Sequence, residues 1–148
     1  MKRLTSLFLI LTSLFIISCG NNDDVDCSTV DCIAPGIILE FVDKETNENL
    51  LENESIDIED IQISVDNLPS PDVHFNSIGS QIYLFVDNWP AENNLATVSL
   101  DANVVLEISV DIEKVKSECC SSNKISKILV TSGDYTEVEE NFFRIFID

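Results

Sequence analysis

Val104-Val105-Leu106-Glu107-Ile108-Ser109-Val110-Asp111-Ile112 is the longest clean alternation in the chain, with Val104, Leu106, Ile108, Val110 and Ile112 all of one parity. Successive side chains of a strand point to opposite faces, so that parity makes one continuous apolar face. A helix of about 3.6 residues per turn would scatter the same residues around its axis. Residues 96–100 lie just upstream, beyond Asp101-Ala102-Asn103. Two apolar runs separated by a short turn read as a β-hairpin.

The same signal recurs on both sides. Ile37, Leu39 and Phe41 alternate with Ile38, Glu40 and Val42, apolar on most of both faces. Ile61, Ile63 and Val65 alternate with Gln62, Ser64 and Asp66, as in a half-buried strand. Ile56 and Ile58 have the opposite parity, which places a bulge or turn near Glu59-Asp60. Pro69-Ser70-Pro71 is a break, and residues 73–75 read as a short edge strand. Ile82, Leu84 and Val86 face one way and Tyr83 and Phe85 the other, which predicts a central strand. Residues 113–123 are polar and read as a loop. Residues 125–131 form another strand, a polar turn begins at Gly133-Asp134, and Phe143, Ile145 and Ile147 give the last strand one face. There is no helical period of useful length. Seven or eight short strands predict an all-β fold, a single small β-sandwich of immunoglobulin-like or transthyretin-like topology over residues 36–148.

The chain begins differently. Met1-Lys2-Arg3 is basic, residues 4–17 carry no charge, and the run ends at Ile16-Ile17-Ser18-Cys19. A basic start, an apolar stretch and a small residue before the cut form a secretion signal. The stretch is short for a spanning helix, which needs ~20 apolar residues. The cysteine directly after Ser18 resembles the lipobox of bacterial lipoproteins. That resemblance covers residues 1–24. It implies cleavage after residues 1–18 and lipid on Cys19, because a thiol is the nucleophile that takes up the diacylglycerol. It also implies anchoring through several acyl chains. Gly20-Asn21-Asn22-Asp23-Asp24 resembles the acidic export tag of Bacteroidota surface lipoproteins, which implies an outer-membrane location facing the exterior; a periplasmic face is the alternative. Residues 19–35 then form a lipidated tether.

Composition narrows function by exclusion. The 148 residues carry 27 acidic and eight basic side chains, a net charge of −19. Losing Lys2 and Arg3 with the leader leaves six basic residues against 27 acidic ones, a charge of −21. Such a surface is ill-suited to nucleic acid, whose phosphates need Lys and Arg. It also argues against docking on anionic headgroups through the protein surface. Scattered acids are read first as a solvated, self-repelling face that keeps a domain soluble.

With Cys19 lipidated, Cys27, Cys32, Cys119 and Cys120 remain, an even number in an exported chain, which predicts disulfides. Joining Cys27 to Cys32 would force Cys119 and Cys120 into a vicinal bridge. Crossed pairing between the two groups is therefore preferred. A four-thiolate zinc site is disfavoured, since neither pair has Cys-x-x-Cys spacing.

Chemistry-bearing residues are few. Every histidine-dependent nucleophilic scheme would pass through His74, the sole histidine, and no Gly-x-Ser-x-Gly element accompanies it. Asp43, Glu45, Asn47 and Glu54 imitate a calcium loop around Leu50, but Glu48 stands where the sharp turn needs glycine. The pair Asp57 and Glu59, or Glu137 with Glu139 and Glu140, has the residue types of glycoside hydrolysis. Tyr83, Phe85 and Trp89 have those of a sugar-stacking platform, and Asn53-Glu54-Ser55 matches a glycosylation sequon. No cofactor motif is present. The expectation is a membrane-anchored, non-enzymatic binding or scaffolding module with a protein or glycan partner and no nucleic acid. The alternative is a small carboxylate-based or calcium-dependent hydrolase of extracellular glycan.

Overall fold

The computed structural model of the chain describes residues 27–29, 31, 32, 34–66, 68, 70–76 and 78–148. The leader at residues 1–18, Cys19 and the acidic stretch at 20–24 lie outside the described residues. Nine strands occur among those described, all within the compact unit Asp31–Asp148. Of the unit Met1–Val30, the described part is a single 3-10 turn, Cys27–Thr29.

The strands are β1 (Gly36–Asp43), β2 (Ile61–Val65), β3 (Asp72–Asn76), β4 (Gln81–Phe85), β5 (Asn93–Leu100), β6 (Asn103–Lys116), β7 (Ser121–Gly133), β8 (Tyr135–Glu139) and β9 (Phe142–Ile147). They form a five-stranded sheet in the order β3-β4-β1-β9-β8 and a four-stranded sheet in the order β2-β5-β6-β7. The two sheets pack as a small β-sandwich, as the alternation predicts. The strand count is nine rather than seven or eight.

The core follows from parity. Ile37, Leu39 and Phe41 of β1 are fully buried, as are Ile82 and Leu84 of β4, Leu106, Ile108 and Val110 of β6, and Ile145 of β9. Each such side chain contributes roughly 1.5–3 kcal/mol by leaving water. β1 lies between β4, antiparallel, and β9, parallel. That central position explains why β1 is apolar on both faces. Opposite-parity Ile58 enters a 3-10 turn, Ile58–Asp60, directly before β2, as the parity change anticipates.

The β5–β6 hairpin turns at Asp101 and Ala102, both with positive φ (49° and 66°). Two positive-φ residues are what a tight hairpin turn needs to match the twist of its strands. A register shift between Val98 and Ser99 follows. Val104 departs from the expected face: it is 55% exposed, at the end of the hairpin where the alternation no longer meets the core.

The larger correction lies between residues 113 and 123. The expected polar loop is instead a continuation of both strands, and β6 and β7 run as a long ribbon that turns only at residues 117–120. β8, also missed, is exposed along its whole length at the edge of the five-stranded sheet.

Candidate functional site

Three segments meet at one end of the sandwich: the entry into the body at residues 32, 34 and 35, the loop at 86–92, and the far half of the β6–β7 ribbon. Cys32 is disulfide-bonded to Cys120, 88 positions later, with Cα atoms 5.7 Å apart. This is one of the crossed pairings. Cys27 and Cys119 are each disulfide-bonded as well. Ser117 shapes the ribbon's turn. Its N–H donates to the Cys120 carbonyl at 2.8 Å, and its Oγ accepts from the Cys120 N–H at 3.0 Å.

Asn123 ties the ribbon to the loop. Its Nδ2 donates to the carbonyls of Val86 (2.6 Å), Trp89 (2.8 Å) and Asp87 (3.2 Å), and the residue is buried. The loop is held from the other side, where the Val86 N–H donates to Pro35 O and Asn94 Nδ2 to Pro90 O and Glu92 O. A cavity of about 300 Å³ opens beside the bridge, lined by Cys32, Ala34, Asp87, Lys114, Ser121, Ser122 and Asn123.

Charge is unevenly placed. Lys44 pairs with Asp134 at 2.8 Å and Asp148 at 3.3 Å, contacts that raise its pKa. Arg144 donates from Nε to Glu40 at 2.7 Å, across the parallel β1–β9 pair in which the two residues are in register. The other four basic residues outside the leader, Lys114, Lys116, Lys124 and Lys127, all lie on the ribbon. All four are exposed, and none is in an ion pair with another described residue. Lys124 stands opposite Glu113 and Lys127 opposite Asp111. Sequence reasoning missed both this grouping and the role of Asn123. The available signal was the spacing Lys114-x-Lys116 and Lys124-x-x-Lys127 in a chain otherwise poor in cations.

The sequence-flagged residues are not brought together. Asp43 ends β1 and caps the next turn: its Oδ1 accepts from Glu45 N (2.9 Å), Thr46 N (2.7 Å) and Thr46 Oγ1 (3.0 Å). The backbone N–H and hydroxyl of Thr46 hold its pKa below the ordinary aspartate value. Glu45, Asn47 and Glu54 are exposed on the turns that follow, Asn47 and Glu54 with positive φ. No three His, Cys, Asp or Glu side chains among the described residues are grouped to hold a metal.

An open groove of about 490 Å³ does collect Glu40, Glu48 and Glu52 with Asn47, Asn49 and Asn53. Glu40 there is already engaged by Arg144 and, at 3.4 Å, by Asn49 Nδ2. The acid groups singled out in the sequence lie elsewhere. Asp57 caps the 3-10 turn and Glu59 lies within it, while Glu137 and Glu139 lie on the exposed edge strand β8 and Glu140 just after it. Asn53-Glu54-Ser55 lies on an exposed turn.

His74 is exposed on edge strand β3, in register with Tyr83. Trp89 is 2% exposed and packs in the core, so it presents no face to a sugar. Its Nε1 and the Oδ1 of Asn94 are buried without a hydrogen-bond partner among the described residues.

No protein-family model matches the chain, and neither a curated protein nor a solved structure matches it.

Proposed function

We propose that the chain is a lipid-anchored, surface-displayed β-module that acts by binding or scaffolding rather than by catalysis. The observation that carries this reading is the use of cysteine. Cys27, Cys32, Cys119 and Cys120 are all disulfide-bonded, which leaves Cys19, directly after the signal-like run, as the fifth. Disulfides persist in oxidising compartments outside the cytosol, in keeping with export. A thiol in sequence context for lipidation then serves as the anchor.

The non-catalytic part of the proposal is supported by placement. His74 stands exposed on an edge strand, Asp43 is engaged in capping its own turn, and Glu40 is engaged by Arg144. A protein or glycan partner would meet the loops and sheet edges, where β7 and β8 leave one side unpaired by other strands.

Surface proteolysis of intact cells, followed by cross-linking and recovery of the tagged full chain, tests both halves. Degradation by external protease and recovery of a specific cross-linked partner are expected, and both should be lost on Cys19→Ala. Protection from external protease, or a partner captured equally by the unanchored Cys19→Ala chain, would contradict the proposal.

A further inference from the structure

We propose that the outer face of the five-stranded sheet is a stacking platform for a neutral glycan chain. The inference rests on the binding-module reading above, names its ligand class, and adds a sheet face to the loops and edges given there. Its first support is register. Ile38 on β1 stands directly between Tyr83 on β4 and Phe142 on β9, and Phe85 is the next outward residue of β4. The residues beside them, among them Ile37, Leu39, Leu84 and Phe143, fill the core, so these four side chains point away from it. All four are partly exposed. Tyr83 and Phe142 lie two strand spacings apart, about 10 Å, close to the length of a disaccharide. None of the three rings is in contact with another described ring. Phe85 lies beside the bare backbone of Gly36, where a Cβ would come 3.7 Å from its Cδ1. Tyr83 and Phe85 are platform residues singled out in the sequence; Phe142 takes the place expected for Trp89.

The second support is charge. The chain beyond the leader has a net charge of −21, yet on this face of β4, β1 and β9 the only charged side chains are Glu40 and Arg144. They pair with each other at 2.7 Å. The centre of the platform is therefore neutral. Acids stand at its rim: Asp72 opposite Phe85, Glu139 opposite Phe142, and Glu48 and Glu52 in the groove that begins at Glu40. Acids are spread over the remaining surface as well, so a cationic partner has no reason to choose this face. The rim repels an anionic polymer. A neutral polymer is what the charge complements.

A sugar ring matches both properties. Its C–H face packs on an aromatic face, whose negative quadrupole favours the contact. Its hydroxyls each donate and accept, so they need partners of both kinds. The platform supplies them. The Gln81 amide lies one outward step before Tyr83 on β4, and His74 stands beside Tyr83 on β3. The Arg144 guanidinium adds N–H donors beyond the Nε that binds Glu40. An acyl chain would strip water from these groups and return no hydrogen bond. A second copy would bring another strongly negative body against the acidic rim.

The test is titration calorimetry of the full chain, purified from membranes in non-ionic detergent, with galactomannan, xyloglucan, arabinoxylan and amylopectin, and with polygalacturonate as the anionic comparison. Binding to at least one neutral polysaccharide is expected, undiminished by added salt because no ion pair forms. Tyr83→Ala/Phe142→Ala should weaken it by about tenfold or more. Tyr83→Phe, which keeps the ring, should retain most of it, and Leu129→Ala, exposed on the other sheet, all of it. On the wild-type chain, the bound polysaccharide should slow amide exchange in β4 and β9, which locates the contact without a variant. No binding to any of the four, binding to polygalacturonate alone, or protection confined to other strands would overturn the inference while leaving a protein-binding module intact. A concentration-dependent dimer broken by the double variant, without polysaccharide binding, would assign the face to a second copy and overturn it too. Binding followed by shortening of the polysaccharide would uphold the platform and contradict the non-catalytic reading instead.

Discussion

The side-chain amide of Asn123 on β7 donates to the backbone carbonyl of Trp89 at 2.8 Å, joining the long ribbon to the loop that buries the one tryptophan. The same amide reaches Val86 and Asp87, so one polar side chain closes that end of the sandwich. A buried carbonyl that loses its donor incurs the full cost of desolvation.

Asn123→Ala should therefore lower unfolding free energy by about 2–3 kcal/mol. Asn123→Asp, which presents a charge to three carbonyl oxygens, should cost more. Denaturant titration of the oxidised chain measures both. An alanine variant as stable as the wild type would show that the loop is held by its other contacts, from Pro35 and Asn94.

Cys32→Ser/Cys120→Ser opens a link spanning 88 positions. Because Cys27 and Cys119 stay disulfide-bonded, the variant frees the unfolded ensemble only as far as a short extra loop, which in the chain-entropy account removes about 2–3 kcal/mol. The folded sandwich should persist with a lowered denaturation midpoint. A midpoint equal to wild type would mean that the bridge adds little beyond the core. Non-reducing peptide mapping of the wild-type chain should recover Cys32 linked to Cys120.

Gly133 closes β7 just before the chain crosses to β8 in the other sheet, and it has φ +120°. A Cβ there would sit 2.6 Å from the Val105 carbonyl oxygen. Gly133→Ala should destabilise by at least ~2 kcal/mol through backbone strain alone, with the clash adding to it. Thermal unfolding would show this, and an unchanged midpoint would mean that the crossover can take another path.

Asp43 supplies a pH dependence of known sign. The Thr46 backbone and hydroxyl, and then the Glu45 N–H, hold its folded pKa below the ordinary aspartate value. A depressed folded pKa gives stability that is present above the unfolded value and is lost as pH falls through the folded one. The acid limb of wild-type stability should therefore include a component that Asp43→Asn lacks. Carboxyl NMR titration should place Asp43 below the ordinary aspartate value. Identical acid limbs in the two proteins would argue against the cap.

What was legible in the sequence follows burial. β1, β4 and the middle of β6 alternate because one face meets the core, so their parity could be read directly. β8 could not be read. Tyr135-Thr136-Glu137-Val138-Glu139 is exposed throughout, and an edge strand without a buried face leaves no period in composition. The ribbon failed for the same reason. Beyond Ile112 both strands outrun the opposing sheet, so Glu113, Lys114, Val115 and Lys116 are all exposed and read as loop. Val104 misled in the opposite direction, an apolar residue continuing the alternation past the end of the core. At the candidate site, the cysteines were legible because an even set of thiols in a chain read as exported predicts pairing. Asn123 was not, because its burial depends on a loop more than 30 positions away.

The central claim is that the disulfide-stapled sandwich hangs from a lipid on Cys19. Mass spectrometry of the N-terminal peptide from membrane-extracted protein tests it most directly. The account predicts a chain that begins at Cys19, with a thioether-linked diacylglycerol on its sulfur and an acyl group on its amine. A peptide still carrying residues 1–18, or a Cys19 with an unmodified thiol, would contradict it.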